Sequence, residues 1–407
     1  MLALVVVMAL LLCWALISGR LASWSVTAPF ALLVAGVILT AGSDPIFVFD
    51  IPYESAERVV EVILAILLFT DAIEVPGGVL GREPRLTLRL LLIALPLSLL
   101  LAWGTGILLF GDLGLWLLAV LATIVMPVDL APAVSFVRDD RIPGRLRQLL
   151  NAESGLNDGV VAPIFLFCLA GATVAGSDVL GEAATDALPS LGLAVAVGAL
   201  IGWVAARVLQ RSLAAGWTQP ATLRIGVLAL PLLAYAGAVV LGGNGFVAAF
   251  IAGVFFEQEA QHLPAGALHL VEDVGALLSL ALWFIFGAVV NDIVAGGSIT
   301  WQIVVYAALA LTVVRMLPVA LSLAGTDVSV RDRLFLGWAG PRGVATLVFG
   351  LLAFVDLEGR DADVVVAVMA VTVVASIVAH GLSTGLIASR YGRTKSSSGA
   401  NLEEEVA

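Results

Sequence analysis

Asn151-Ala152-Glu153-Ser154-Gly155-Leu156-Asn157-Asp158-Gly159 interrupts what would otherwise be an apolar helix. Two carboxylates and two neutral polar side chains sit here inside a hydrophobic run. On a helix Ser154 and Asp158 share a face, as do Glu153 and Asn157, whereas Glu153 and Asp158 diverge by roughly 140° at 100° per residue. The two acids therefore have different jobs. Outward from this stretch, apolar runs of about twenty residues recur along the whole chain, each long enough to cross ~30 Å of hydrocarbon. The 407 residues are 61% apolar and 13% charged, where soluble domains carry about a quarter charged residues, and the mean hydropathy is +1.08. A water-soluble fold is excluded, and the expected class is an all-α polytopic membrane protein.

About thirteen spans are predicted, centred near Leu10, Val34, Ile66, Leu97, Val125, Val161, Val197, Ala229, Phe250, Leu282, Ala310, Leu347 and Thr372. The run Met1 to Ile17 has no basic residue ahead of it, as a cleavable secretory signal would need, so it reads as the first span. With the N-terminus outside, the inner loops and tail hold 16 of the 20 basic residues, among them Arg82, Arg138, Arg145, Arg207 and Arg333. The outer loops hold Arg58 and Arg360. This asymmetry places the C-terminus in the cytoplasm. Residues 1–389 form the transmembrane domain, and 390–407, rich in Ser, Gly and Glu, read as a disordered cytoplasmic tail. A multi-pass protein of the cell membrane, surrounded by the lipid bilayer, is the expectation.

Several function classes fall away. A net charge of −11 argues against nucleic acid. Cys13 and Cys168 lie in separate apolar runs and read as small apolar residues without redox chemistry. Gly242-Gly243-Asn244-Gly245 lacks the Gly-Lys-Ser/Thr ending of a phosphate cradle and reads as a turn. No cofactor is implied.

Two further irregularities accompany the polar stretch. In Met126-Pro127-Val128-Asp129-Leu130-Ala131-Pro132 the prolines remove backbone donors, so the helix opens and exposes its ends. Gly340-Pro341-Arg342-Gly343 repeats this at the corresponding place in the second half. Opened backbone in a membrane has to line a cavity, and paired interruptions are what an inverted-repeat transporter places around a midplane site. Asp158 and Asn157 are read as functional, against the alternative of a purely structural network. Asp129 is read as functional too, the alternative being neutralisation of an exposed helix end. Glu153 with Arg342 is read as a structural ion pair, and Arg315 is likewise structural. Asp71 either reaches the same cavity or lies at the interface near Glu74. His262 and His269 read as residues of a solvated loop, and His380 as a satisfied packing residue.

Glu153-Ser154-Gly155-Leu156-Asn157-Asp158-Gly159 and Gly340-Pro341-Arg342-Gly343-Val344-Ala345-Thr346, with the span count and orientation, resemble the NhaP-type sodium/proton antiporters of the monovalent cation:proton antiporter superfamily. The resemblance implies two inverted six-helix repeats with discontinuous crossing helices, a core domain, a dimerisation domain and hence a homodimer. It implies that Asp158 binds cation or proton with Ser154 and Asn157 beside it, and that Glu153 and Arg342 pair. Where the family has Thr-Asp, this chain has Val128-Asp129. The threonine hydroxyl is lost, leaving the Val128 backbone carbonyl to serve the alkali cation together with Asp158 and Ser154.

The chemistry expected is competition between a proton and Na⁺, Li⁺ or K⁺ for one desolvated carboxylate, with alternating access. No lysine lies in any span, and Asn157 stands where a second acid would, so one proton per cation, an electroneutral cycle, is expected. A potassium-efflux protein or cation channel of related fold, or a homologue with changed selectivity, is the alternative. An enzyme is not expected, since the Gly-x-Gly-Asp signature of intramembrane aspartyl proteases is missing.

Overall fold

The computed structural model describes residues 2–24, 26–41, 53–74, 80–173, 179–260, 263–264 and 266–404, and the described residues contain helices and no strand. In chain order the helices are α1 (Leu2–Ser23), α2 (Ala28–Thr40), α3 (Tyr53–Ile73), α4 (Pro84–Arg89), α5 (Leu95–Leu109), α6 (Leu115–Val125), α7 (Ser135–Arg138), α8 (Gly144–Thr173) and α9 (Val179–Ala214). There follow α10 (Pro220–Val240), α11 (Gly245–Ala260), α12 (His269–Gly296), α13 (Trp301–Leu311), α14 (Val313–Ser322), α15 (Val330–Trp338), α16 (Val344–Asp356) and α17 (Gly359–Glu404). Among the described residues, eight helical stretches are long and apolar enough to cross a membrane. Each of the thirteen predicted centres falls on a helix or on an interrupted helical stretch.

The interruptions follow from local chemistry. A π-turn over Leu90–Ala94 joins α4 to α5, with the Leu95 N–H reaching back to Leu90 O. Pro96 follows at once, and a residue without an N–H disturbs the regular ladder there. At Thr312, where φ is −117° and ψ −100°, α13 gives way to α14. The gaps after α6 and before α16 coincide with Pro127 and Pro341.

Small residues bring helices into backbone contact, as packing in lipid favours. Gly198 and Gly202 of α9 lie against the backbone of Ala248 and Ala252 in α11, and Gly36 of α2 against Phe284 and Gly287 of α12. A Cβ at any of these glycines would meet the partner backbone. α6, α8 and α13 to α17 gather around the two interruptions, while α3 and α12 close the remaining side.

On the face that carries the basic loops, Arg145 at the start of α8 joins Glu83 (2.7 Å) and Asp327 (2.7 Å). Arg89 donates to the carbonyls of Ser322 and Ala324 at 3.0 Å each. The apolar part of α17 stops at Tyr391, and its backbone is helical to Glu404. A helix that is already nucleated extends at little cost. His262 lies outside the described residues, and His269 is exposed at the start of α12.

Candidate functional site

The first interruption presents one peptide unit to α8. Past Val125 the chain extends through Pro127 and Val128, and Val128 is 2% exposed. Its N–H donates to Asn157 Oδ1 (3.2 Å), and its carbonyl accepts from Asn157 Nδ2 (2.9 Å) and Ser154 Oγ (3.2 Å). The Asn157 amide thus pairs with both polar groups of Val128, as a neighbouring strand would, and also donates to Glu153 O at 2.9 Å. Asn157 and Ser154 thus meet at the Val128 carbonyl.

The second interruption meets the first directly, since the Asp129 N–H donates to Pro341 O (2.9 Å). Asp129 Oδ2 accepts from the N–H of Val344, the first residue of α16 (2.8 Å), and Oδ1 from the Ala131 N–H (2.8 Å). A carboxylate at a helix N-terminus is favoured by the exposed N–H groups and the helix dipole. Gly343 makes the approach possible, because a Cβ there would overlap the Asp129 carboxylate.

The expected pairing of Glu153 with Arg342 is corrected by the structure. Glu153 forms a bidentate pair with Arg315 of α14, with Nη1 to Oε1 at 2.9 Å and Nη2 to Oε2 at 3.1 Å. Room for that guanidinium comes from Gly340, where a Cβ would collide with it. Arg342, fully buried, instead donates to the carbonyls of Met126, Pro127 (3.0 Å) and Ala310 (3.0 Å). These carbonyls lie at the ends of α6 and α13, where interruption removes the next turn of donors. A guanidinium with five N–H groups suits such a cluster of acceptors better than one carboxylate would.

Asp158 is 6% exposed, and its Oδ1 has no hydrogen-bond partner among the described residues. It lines a cavity of about 410 Å³ together with Ser154, Asp71 and Asp129, and the wall extends to Glu74, Arg138 and Glu272 at the ends of α3, α7 and α12. Asp71 therefore belongs to the cavity wall, the first of its two sequence readings. Such an arrangement can hold a proton or a hard cation, because an unpartnered buried oxygen has to find one of them or water. The neighbouring Gly159 lets the Phe250 ring pack flat on α8.

Beside the site, Ser376 escaped the sequence reading, and His380 was read only as a satisfied packing residue. Ser376 accepts from the Arg342 N–H at 2.8 Å, and His380 lies 2.8 Å from Trp338 O. The signal was present in Thr372, Ser376, His380 and Thr384, polar residues at four-residue intervals in an apolar run.

The sequence profile of the family described as "Sodium/hydrogen exchanger, transmembrane" matches residues 4–390. A Na(+)/H(+) antiporter of Schizosaccharomyces pombe is 23% identical over 369 residues, covering 83% of this chain and 78% of that protein. A K(+)/H(+) antiporter NhaP2 of Shewanella baltica is 25% identical over 340 residues, covering 79% of this chain and 56% of that protein. The chain thus spans about half the length of the latter relative. Among solved structures, the sodium proton antiporter MjNhaP1 of Methanocaldococcus jannaschii superimposes with a TM-score of 0.71 at 19% identity, covering 95% of this chain and 99% of that one. The discontinuous, crossing-helix fold is therefore shared with that protein.

Proposed function

The chain belongs to the transmembrane sodium/hydrogen exchanger family, and from that premise we propose that it exchanges a monovalent cation for a proton at Asp158. The observation that carries this reading is a buried carboxylate oxygen without a partner among the described residues, in a polar cavity between two interrupted helices. A proton and an alkali ion are alternative ways of neutralising that carboxylate, and taking up one displaces the other. Ser154 Oγ, the Val128 carbonyl and Asp71 supply further oxygens around it, with Asn157 fixing the Val128 peptide and Asp129 bracing α16. Loaded with either ion the site carries the same charge, so a rocking core can present it to either side in an electroneutral cycle. With the basic loops inside, the cavity, whose wall includes Arg138 and Glu272, is read as open toward the cytoplasm in this proposal. We place the protein in the cell membrane as a homodimer, with residues 1–389 forming the exchanger and the N-terminus outside.

Sodium or lithium is the first reading for the cation. Potassium is the second, and two observations favour it. The Shewanella baltica relative is a K(+)/H(+) antiporter, and Val128 brings no hydroxyl to a site where a smaller ion needs close oxygens.

The test is cation-driven dissipation of a pH gradient in proteoliposomes. Asp158→Asn is expected to reduce it by about a hundredfold or more, the scale expected when a group that makes the reaction possible is removed, while the protein elutes as the wild type does. Wild-type exchange by Asp158→Asn would sink the proposal.

A further inference from the structure

We infer that Ser376 and His380 of α17 are positioning residues for the ion site, replacing the helical hydrogen bond that the second interruption breaks. The inference rests on the exchange reading above and adds residues to it.

In an uninterrupted helix the Arg342 N–H would donate to Trp338 O, four residues back. Here α15 ends at Trp338 and that pair is split. α17 supplies a substitute for each half. The Arg342 N–H donates to Ser376 Oγ at 2.8 Å, and His380 Nε2 lies 2.8 Å from Trp338 O, which also accepts the Gly340 N–H at 2.7 Å. The two substitutes are joined to each other: with Nε2 donating to Trp338 O, His380 Nδ1 is the acceptor for the Ser376 hydroxyl, 3.2 Å away.

The imidazole also touches both interrupted segments. The Trp338 indole stacks on it with centroids 5.1 Å apart, and Phe136 of α7 meets it edge-on at 6.4 Å. Trp338 Nε1 donates to Ser383 Oγ at 2.9 Å. Ser376 and His380 are 0% exposed, and burying polar side chains in an apolar helix is costly without a compensating bond.

From Ser376 the chain of contacts continues to the site. It fixes the Arg342 backbone, the Arg342 guanidinium holds the carbonyls of Met126 and Pro127, and the next peptide is that of Val128. The competing account is an ordinary satisfied histidine in a helix core. That account predicts less folded protein and an unchanged site.

The experiment compares wild type with Ser376→Ala, His380→Ala and His380→Gln, each purified and reconstituted. Apparent KM for the cation is the primary readout because it does not depend on the amount of folded protein. Both alanine variants are expected to raise KM about tenfold or more, as loss of residues that orient ion ligands does. His380→Gln, whose amide can still donate to Trp338 O, is expected to restore most of the affinity. Amide hydrogen exchange over residues 126–130, across the crossing from His380, is expected to accelerate in both alanine variants and is read without any transport. Unchanged KM and unchanged exchange at 126–130 would overturn the inference, as would loss of folded protein in all three variants, which would assign these side chains to folding. A wild type without cation-driven proton movement would instead break the exchange reading, leaving the hydrogen-exchange result to decide the positioning role alone.

Discussion

The two helix interruptions occupy matching places in the two halves of the chain and have opposite tasks. After α6 the opened backbone faces outward from its own break, with the Val128 peptide turned to Ser154 and Asn157 beside Asp158. Before α16 the opened backbone brings in Arg342, whose guanidinium reaches back to hold the first break by its carbonyls. One interruption presents oxygens and the other braces them. Symmetry of the backbone does not carry over into symmetry of function. The positive charge of Arg342 at this crossing is spent on the carbonyls of the breaks and not on the carboxylates of the cavity.

The sharpest way to break this contrast is to remove the brace. Arg342→Leu leaves the carbonyls of Met126, Pro127 and Ala310 without their donor, at about 1–3 kcal/mol for each buried group left unsatisfied. The expected outcome is loss of the monodisperse peak in size-exclusion chromatography. A well-folded Arg342→Leu protein would show that the second break braces nothing.

The corrected ion pair comes next in size. Glu153→Gln alone is expected to cost about 3–5 kcal/mol by stranding the buried Arg315 charge. A double-mutant cycle measured by thermal unfolding in detergent should find strong coupling of Glu153 to Arg315 and weak coupling to Arg342. The reverse ranking would restore the original pairing.

Restoring a hydroxyl at the presenting break is a smaller change. Val128→Thr is expected to lower the apparent KM for sodium several-fold relative to potassium, the effect of one interaction worth about 1 kcal/mol. Equal shifts for both ions would mean that residue 128 acts through its backbone alone.

The smallest effect belongs to the exposed clasp, far from both breaks. Hydrogen bonding to Arg145 holds the Asp327 carboxyl below the usual carboxylate range. Its contribution is therefore complete above that range and is lost as pH falls through the depressed value. Arg145→Ala should lower Tm slightly near neutral pH, and the difference should close under acid conditions and in high salt. A Tm difference that persisted in acid would place the contribution of Arg145 outside its ion pairs.

Much of this architecture was legible in the residues. Span positions follow from apolar run length, and the breaks from Pro127, Pro132 and Gly340-Pro341, because a missing N–H is a local fact that tertiary structure cannot repair. The partner of Glu153 was not legible. Two arginines, Arg315 and Arg342, lie within spans, and sequence gives no direction to a long side chain. What decides between them is the set of carbonyls freed at Met126, Pro127 and Ala310, which exists only once α6 and α13 are broken and placed together. The carboxylate of Asp129 is similar: its bond to the Val344 N–H spans the crossing. The polar face of α17 was visible as a four-residue rhythm but meaningless until the split between Trp338 and Arg342 gave Ser376 and His380 something to replace.

The carbonyl of Val128 already receives two protons, one from the Ser154 hydroxyl and one from the Asn157 amide. An arriving metal ion can use that oxygen fully only after one donor lets go. Asn157 is tied to Glu153 O as well, but Ser154 needs only a turn about its Cα–Cβ bond. The same rotation swings the hydroxyl lone pairs toward the newcomer. Under the proposed exchange, a single rotor would trade a hydrogen bond for a coordinate bond with no movement of the main chain.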